Sequence, residues 1–135
     1  MKLPIRAFQQ QTSYSCVASL LQSLLLFYKG ETISHERAIT LAQCDPETGA
    51  ELTNIATALK MTPRQLTTWV AVKKALFNGQ PIIADDNVSY VDGHAILLVG
   101  ATDNGVWVLD PNTAKTVWRT KEWLWDASEE FYVLV

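Results

Sequence analysis

Apolar and polar positions divide the chain into a helical first half and a strand-like second half. The segment from Val17 to Tyr28 is apolar over most of its circumference, which predicts a helix surrounded by protein. Gly30 can end this helix, with Lys29 favourable at its negative end, and Ser15 or Ser13 can cap its start. We expect it to be the central helix of the fold.

Three further helical segments follow, each with apolar residues at helical spacing. They run from Ser34, a predicted N-cap, to Gln43, from Leu52 to Leu59, and from Pro63 to Phe77 before Asn78-Gly79. The segment Asp45 to Gly49 predicts a turn between the first two of these. Four helical segments therefore come first.

From Pro81 onward the periodicity is that of strands. Five strands are predicted, at Pro81 to Ala84, Gly93 to Gly100, Gly105 to Leu109, Thr116 to Trp118 and Phe131 to Val135. The Asn104-Gly105 pair is a strong hairpin signal. The continuous apolar run Ala95 to Val99 predicts a central strand that is covered on both faces. The predicted fold class is α+β with segregated halves.

Composition and charge fit one globular domain that spans residues 1–135, with 48% hydrophobic residues. The net charge of -3 offers no basic face in bulk and disfavours nucleic acid and anionic membranes as partners. The amino terminus has no apolar stretch of signal-peptide length, and Val17 to Tyr28 is shorter than the roughly 20 residues that cross a bilayer.

The chain has two cysteines, Cys16 and Cys44. One opens a helix and the other closes the next, so we do not expect them to pair. The sequence contains no CxxC motif and no cysteine and histidine cluster with zinc spacing, so neither a metal nor another cofactor is expected. Two reduced thiols favour a reducing compartment, the cytoplasm of the producing cell or of a target cell.

Cys16 lies at the predicted amino-terminal end of the first helix. Unpaired N–H groups and the helix dipole favour a thiolate there and can bring a cysteine pKa from about 8.5 to roughly 3.5 to 7.5. Taken alone, Cys16 is better explained as a buried structural cysteine, because free cysteine is among the most buried residue types. Its interpretation therefore depends on residues further along the chain.

His94 begins the predicted central strand, and Asp110 ends the next strand of the same hairpin. The two side chains should therefore lie near one edge of the sheet. A tight turn at Asn104-Gly105 would leave the register off, so a longer loop or a bulge is required. Alone, each residue has an ordinary structural explanation; with Cys16 they form a set.

A cysteine at a helix start, a histidine at a strand start and an acid one hairpin later is the order of papain-like enzymes. The histidine exchanges a proton with the thiol, and the acid orients the imidazole. The oxyanion needs donors, which the Gln10 side-chain amide and the Cys16 backbone N–H can supply. Gln11 is the alternative donor if the register slips by one, and Asn112 can assist or replace Asp110. His35 is expected to be solvated beside Glu36.

Three segments resemble the bacteriocin-processing peptidases. They are Gln10 to Leu20, Gly93 to Gly100 and Val106 to Pro111, and the resemblance extends from about Phe8 to Trp123. These papain-like domains are best known from peptide-exporting ABC transporters, where they cut leader peptides after a Gly-Gly pair. The resemblance implies that Cys16 is the nucleophile, His94 the general base and acid, Asp110 the orienting acid and Gln10 the oxyanion-hole residue.

Two features depart from the family. Ser15-Cys16-Val17 stands where the family usually has Asp-Cys-Gly, and Val17 can narrow the cleft. The sequence also holds no membrane or ATPase segment, so we expect a domain that acts alone or as a detached module. Related domains also occur as bacterial effectors or toxins, commonly with a cognate immunity protein.

The leading hypothesis is a cysteine endopeptidase that cleaves a protein or peptide substrate after Gly-Gly through a thioester, plausibly as a stand-alone bacterial effector. A leader-peptide maturation protease has the same chemistry. A glutamine deamidase or transglutaminase would use the same triad on a side-chain amide. A non-catalytic peptide-binding module is disfavoured because Cys16, His94 and Asp110 are all present.

Overall fold

A computed structural model describes residues 2–90 and 93–135. The helices are α1 (Cys16–Lys29), α2 (His35–Ala42), α3 (Asn54–Leu59), α4 (Trp69–Phe77) and α5 (Lys121–Ala127). The strands are β1 (Pro63–Gln65), β2 (Ile82–Asp85), β3 (Ala95–Thr102), β4 (Gly105–Asp110), β5 (Lys115–Thr120) and β6 (Phe131–Leu134). They form one antiparallel sheet in the order β1-β6-β2-β3-β4-β5. The predicted α+β class is confirmed.

Helix α1 is the central helix, as its apolar circumference predicts. Every residue from Val17 to Leu25 is buried, and the helix packs against α2, α3 and strand β3. Gly30 ends it in the left-handed conformation, with its N–H donating to the Leu26 carbonyl oxygen. Fully burying one leucine is worth about 1.5–3 kcal/mol, so this apolar segment fixes the position of Cys16 at its start.

Helices cover both faces of the sheet. On one face, α1, α2 and α3 pack against alternate strand residues such as Ile83, Leu97 and Leu109. On the other face, α4 and α5 pack against the intervening residues, among them Ile82 and Leu98. Because both faces are covered, all residues of β3 except its last are buried, as the apolar run predicts.

The segment after Pro63 differs from the prediction of one helix. Residues Pro63–Gln65 form an edge strand paired with β6, and the helix begins only at Trp69, after the N-cap Thr68 accepts a hydrogen bond from the Ala71 N–H. A strand of three residues is too short for periodicity to reveal, and its partner lies near the carboxyl terminus. Trp69 packs against the core on the face of the sheet that α4 and α5 cover, and its ring meets that of Trp125 edge to face.

Helix α5 is an element that periodicity did not predict. Thr120 caps it by accepting from the Trp123 N–H, and only Leu124 and Ala127 of its residues are buried. Two buried positions are too few to define a helical stripe in the sequence. Among residues 2–90 and 93–135, no helix has the length and apolar character needed to span a membrane.

The β3–β4 hairpin contains a bulge, one of the two alternatives that the sequence predicted. Near the turn, Thr102 pairs with Gly105 and Gly100 with Trp107, but beyond Val99 the pairing shifts, so that Leu98 faces Val108. Side chains alternate between the two faces of the sheet. A shift of one residue in the pairing therefore changes which residues of β3 share a face with Asp110. Continued to the strand end, the shifted register puts Asp110 opposite Ile96, on the same side of the pleat as His94.

Candidate active site

Cys16 is the first residue of α1, and its side chain lines a cleft of about 760 Å³. The buried residues that follow it hold the helix start against the sheet edge. Ser15 occupies the N-cap position, but its side chain makes no capping hydrogen bond to the helix. Ser15 is therefore at the predicted N-cap position but does not cap the helix with its side chain. The Ser15 hydroxyl can bond to other partners.

His94 directly precedes β3 and lines the same cleft as Cys16. Its side chain is only 6% exposed, and its Nε2 lies 2.7 Å from Asp110 Oδ1. The other ring nitrogen is thereby left for the thiol of Cys16, which lines the same cleft, and each of the two groups shifts the pKa of the other. The structure brings Cys16, His94 and Asp110 together in that order, as the sequence predicts.

Asp110 ends β4, and both of its carboxylate oxygens are held. Oδ1 accepts from His94 and from the Asn112 backbone N–H at 2.8 Å, while Oδ2 accepts from the Tyr90 hydroxyl at 2.6 Å. The Asn112 side chain donates to the Tyr90 hydroxyl at 3.3 Å. Asn112 therefore supports the acid, and Asp110 is the residue that contacts the imidazole.

Tyr90 is a site residue that sequence reasoning missed. Its ring centroid lies 4.0 Å from that of His94, with the planes tilted by 36°. It precedes Val91 and Asp92, which lie outside the described residues, and it occupies a loop with no periodic pattern. Only the contact with His94 and Asp110 reveals it.

The pKa values favour an ion pair between Cys16 and His94. Burial raises the pKa of Cys16, but the hydrogen bond from His94 and backbone hydrogen bonds with Ala95 and Val17 bring it below its ordinary value. Burial lowers the pKa of His94, but hydrogen bonds with Asp110 and Cys16 raise it to about 9. Near neutral pH His94 is therefore protonated, and its interaction with Cys16 favours the thiolate relative to an ordinary cysteine.

Asp110 is kept ionised in this arrangement. Burial raises its pKa, but the hydrogen bonds from His94, Tyr90 and the Asn112 backbone lower it by more, so that the net pKa is below the ordinary value. A carboxylate held in this way orients the imidazole and stabilises its protonated form.

Gln10 lies beside the turn that follows Asp110. Its backbone N–H donates to the Pro111 carbonyl oxygen at 2.8 Å, and its Nε2 donates to the Thr12 carbonyl oxygen at 2.8 Å. Gln10 is not among the residues that line the cleft with Cys16, and its Oε1 is buried without a hydrogen-bond partner among the described residues. Gln11, the alternative donor, is exposed, and its backbone N–H points instead to His35 Nε2 at 3.4 Å.

His35 is not solvated, so the expectation for this residue was wrong. It is 5% exposed, with Nδ1 2.8 Å from Gln22 Oε1 and Nε2 2.9 Å from Ser15 Oγ. The side-chain amide of Gln22, in a buried helix, needs a hydrogen-bonding partner, and that was the signal in the sequence.

The lining of the cleft is acidic. Its carboxylates come from Asp45, Glu47, Glu51, Asp85 and Glu130, and no lysine or arginine lines the cleft within the described part of the chain. Val17 also borders it, but with 1% exposure its side chain belongs mainly to the core. A peptide bound beside Cys16 and His94 would therefore meet a surplus of negative charge.

Cys44 is free and partly buried, as is Cys16. Burial raises the pKa of Cys44, which favours its unreactive thiol form, in contrast to Cys16. Across residues 2–90 and 93–135, no cluster of three or more histidine, cysteine, aspartate or glutamate side chains is placed to hold a metal ion.

Comparison with protein families gives one match over nearly the whole chain. A family model described as "Peptidase_C39 like family" matches residues 2–133. No curated protein sequence matches the chain.

Several solved structures share the fold. The peptidase domain of Streptococcus ComA, a bifunctional ABC transporter involved in quorum sensing, matches with a TM-score of 0.76 at 18% identity, covering 96% of each chain. A double glycine motif protease from an AMS/PCAT transporter, in complex with the leader peptide, matches with a TM-score of 0.75 at 15% identity, covering 99% of this chain and 94% of the other. A C39-like peptidase from Bacillus anthracis matches with a TM-score of 0.70 at 14% identity, covering 100% and 98%.

Proposed function

The chain belongs to the Peptidase_C39 like family of cysteine peptidases, and we propose that it is an endopeptidase that cleaves a protein or peptide after a Gly-Gly pair. The observation that carries the proposal is that His94, held by Asp110 at 2.7 Å, lines the same peptide-sized cleft as Cys16 at the start of α1. In this proposal Cys16 is the nucleophile, His94 the general acid and base, and Asp110 the residue that orients it.

Acylation begins with the thiolate of Cys16, which attacks the scissile carbonyl carbon. The oxygen takes up negative charge and accepts hydrogen bonds from the Cys16 N–H and the Gln10 amide. The His94 imidazolium donates its proton to the amide nitrogen, the carbon–nitrogen bond breaks, and the amine leaves. A thioester joins the acyl part of the substrate to Cys16, and His94 is left neutral.

Deacylation reverses the roles with water. Neutral His94 takes a proton from a water molecule, whose oxygen attacks the thioester carbon. The second oxyanion collapses, the carbon–sulfur bond breaks, and the acid product leaves. Cys16 is then again a thiolate beside the imidazolium, so the cycle consumes one water and no cofactor.

The Gly-Gly preference is supported by the double glycine motif protease that shares the fold. A cleft that is narrow beside the nucleophile would exclude side chains on the acyl side of the bond. Two uses share this chemistry: maturation of a leader-bearing peptide, and attack on a target-cell protein by an effector that a cognate immunity protein restrains. In both uses the substrate is a protein or peptide that contains a Gly-Gly site.

The test uses the purified chain and a synthetic double-glycine leader peptide, with products identified by mass spectrometry. We expect two fragments separated after the Gly-Gly pair, no cleavage by Cys16→Ala, and full activity in Cys44→Ala, the matched control at the other free cysteine. An intact peptide with wild-type protein, or cleavage by Cys16→Ala, overturns the proposal. A glutamine side chain converted to glutamate in an unbroken peptide would instead indicate a deamidase.

A further inference from the structure

A buried histidine outside the triad joins the central helix to the segment that carries Gln10. His35 lies in the first turn of α2 and contacts Gln22 of α1 on one side and Ser15 on the other. No step of the proposed reaction uses this histidine. His35 nevertheless contacts Ser15, the residue that directly precedes Cys16.

The hydrogen bonds define which nitrogen of His35 carries the proton. Gln22 Nε2 donates to the Ile33 carbonyl oxygen at 3.0 Å, so Gln22 Oε1 faces His35 and Nδ1 must be the donor. Nε2 then offers its lone pair, which the Gln11 backbone N–H approaches at 3.4 Å. Burial lowers the pKa of His35 and favours this neutral form.

Ser15 continues the chain of hydrogen bonds. Its hydroxyl donates to His35 Nε2 at 2.9 Å and accepts from the Thr12 hydroxyl at 2.7 Å and the Thr12 N–H at 3.2 Å. The carbonyl oxygen of Thr12 accepts from the Gln10 amide at 2.8 Å. A connected path therefore runs from α1 through His35, Ser15 and Thr12 to Gln10.

We propose that His35, acting through Ser15, is a positioning residue that holds the Gln10 amide and the backbone N–H of Cys16 in place as oxyanion donors. This inference rests on the proposed function. It also explains Ser15, which stands where the resembling family has aspartate: a hydroxyl accepts from Thr12 and donates to His35, whereas an ionised aspartate has no hydrogen to donate.

Two substitutions at position 35 distinguish the contact that Nδ1 makes with Gln22 from the contact that Nε2 makes with Ser15. In His35→Gln the side-chain amide reaches toward the former Nε2 position and can accept from Ser15, whereas in His35→Asn it reaches only toward Gln22. For a fluorogenic acyl-Gly-Gly-aminocoumarin substrate, we expect kcat to fall about tenfold or more in His35→Asn and to be largely retained in His35→Gln.

Ser15→Ala tests the same path with a smaller change, and it decides the question if His35→Asn does not fold. Its matched control is Ser23→Ala, an equal change at another buried serine of α1. We expect Ser15→Ala to lower kcat about tenfold and Ser23→Ala to leave it unchanged. Alkylation of Cys16 by iodoacetamide forms no oxyanion, so its rate should be unchanged in all four variants.

Retained kcat in both His35→Asn and Ser15→Ala overturns the role of His35, as does an equal loss of kcat and of the alkylation rate. Wild-type protein that cleaves, and that loses activity in Cys16→Ala, leaves the proposed function standing in either case. A wild-type protein that does not cleave the substrate overturns both proposals.

Discussion

Asp110 Oδ1 lies 2.7 Å from His94 Nε2, although the two residues are not paired across their hairpin. The one-residue shift at Val99 puts Asp110 on the same side of the pleat as His94, and without the shift it would face away. The bulge is therefore a requirement of this site, and the pH dependence of the enzyme should follow from the contact that it makes possible.

The first prediction concerns the pH profile of the wild-type chain. In the proposed mechanism the active form has a thiolate at Cys16 and a proton on His94, so kcat/KM should rise as Cys16 deprotonates, at a pH below the ordinary cysteine pKa. It should fall again as His94 loses its proton at about pH 9. We expect a bell-shaped profile, measured with the fluorogenic Gly-Gly substrate, whose rising limb lies below the ordinary cysteine pKa. A rising limb at or above that ordinary value would contradict the ion pair.

The second prediction is for Asp110→Asn. The neutral amide can still accept a hydrogen bond from Tyr90, but it no longer stabilises the charge on the imidazolium. Because Asp110 raises the pKa of His94, its removal should lower that pKa and move the alkaline limb of the kcat/KM profile below 9. We expect an unmoved alkaline limb only if Asp110 does not act on His94.

The third prediction is for Tyr90→Phe, which keeps the ring against His94 and removes the hydroxyl from Asp110. A hydrogen bond to a charged group is typically worth about 1.5–3 kcal/mol, so a loss of roughly tenfold to a hundredfold in kcat is expected. Tyr28→Phe is the matched control, since the buried Tyr28 hydroxyl has no hydrogen-bond partner within the described residues. Equal activity of the two variants would show that the tyrosine contact is dispensable.

The elements that carry the triad could be predicted from the sequence because their signals are local. The apolar run ending at Gly30 marked α1 and placed Cys16 at its start, and the apolar run after His94 with the Asn104-Gly105 turn marked the β3–β4 hairpin. The need for a bulge followed from counting residues across that hairpin.

The missed features depend on tertiary contacts. Strand β1 exists because β6 pairs with it from the other end of the chain, and Tyr90 is positioned by a loop with no periodic pattern. His35 was assigned to solvent from its neighbour Glu36, whereas the partner that buries it, Gln22, lies in another helix. Periodicity reports which face of an element is buried, but it does not report which side chains meet there.

The last prediction concerns the charge of the substrate. Five carboxylates line the cleft beside Cys16 and His94, without a lysine or arginine among the described lining residues. These carboxylates should attract a cationic peptide and repel an anionic one, and added salt should weaken both effects. We therefore expect a Gly-Gly peptide flanked by lysines to have a lower KM than the same peptide flanked by glutamates.

The matched variants are Glu47→Gln and Glu51→Gln, exposed cleft residues that remove negative charge with little change of shape. Together they should reduce the difference in KM between the two peptides, and Glu122→Gln, outside the cleft, should leave it unchanged. Steady-state KM values at low and high salt provide the measurement. Equal KM values for the two peptides at low salt would show that the acidic lining does not contact the substrate. Charges on a peptide bound within a Debye length of about 10 Å interact with the carboxylates, so contact would make the two KM values differ.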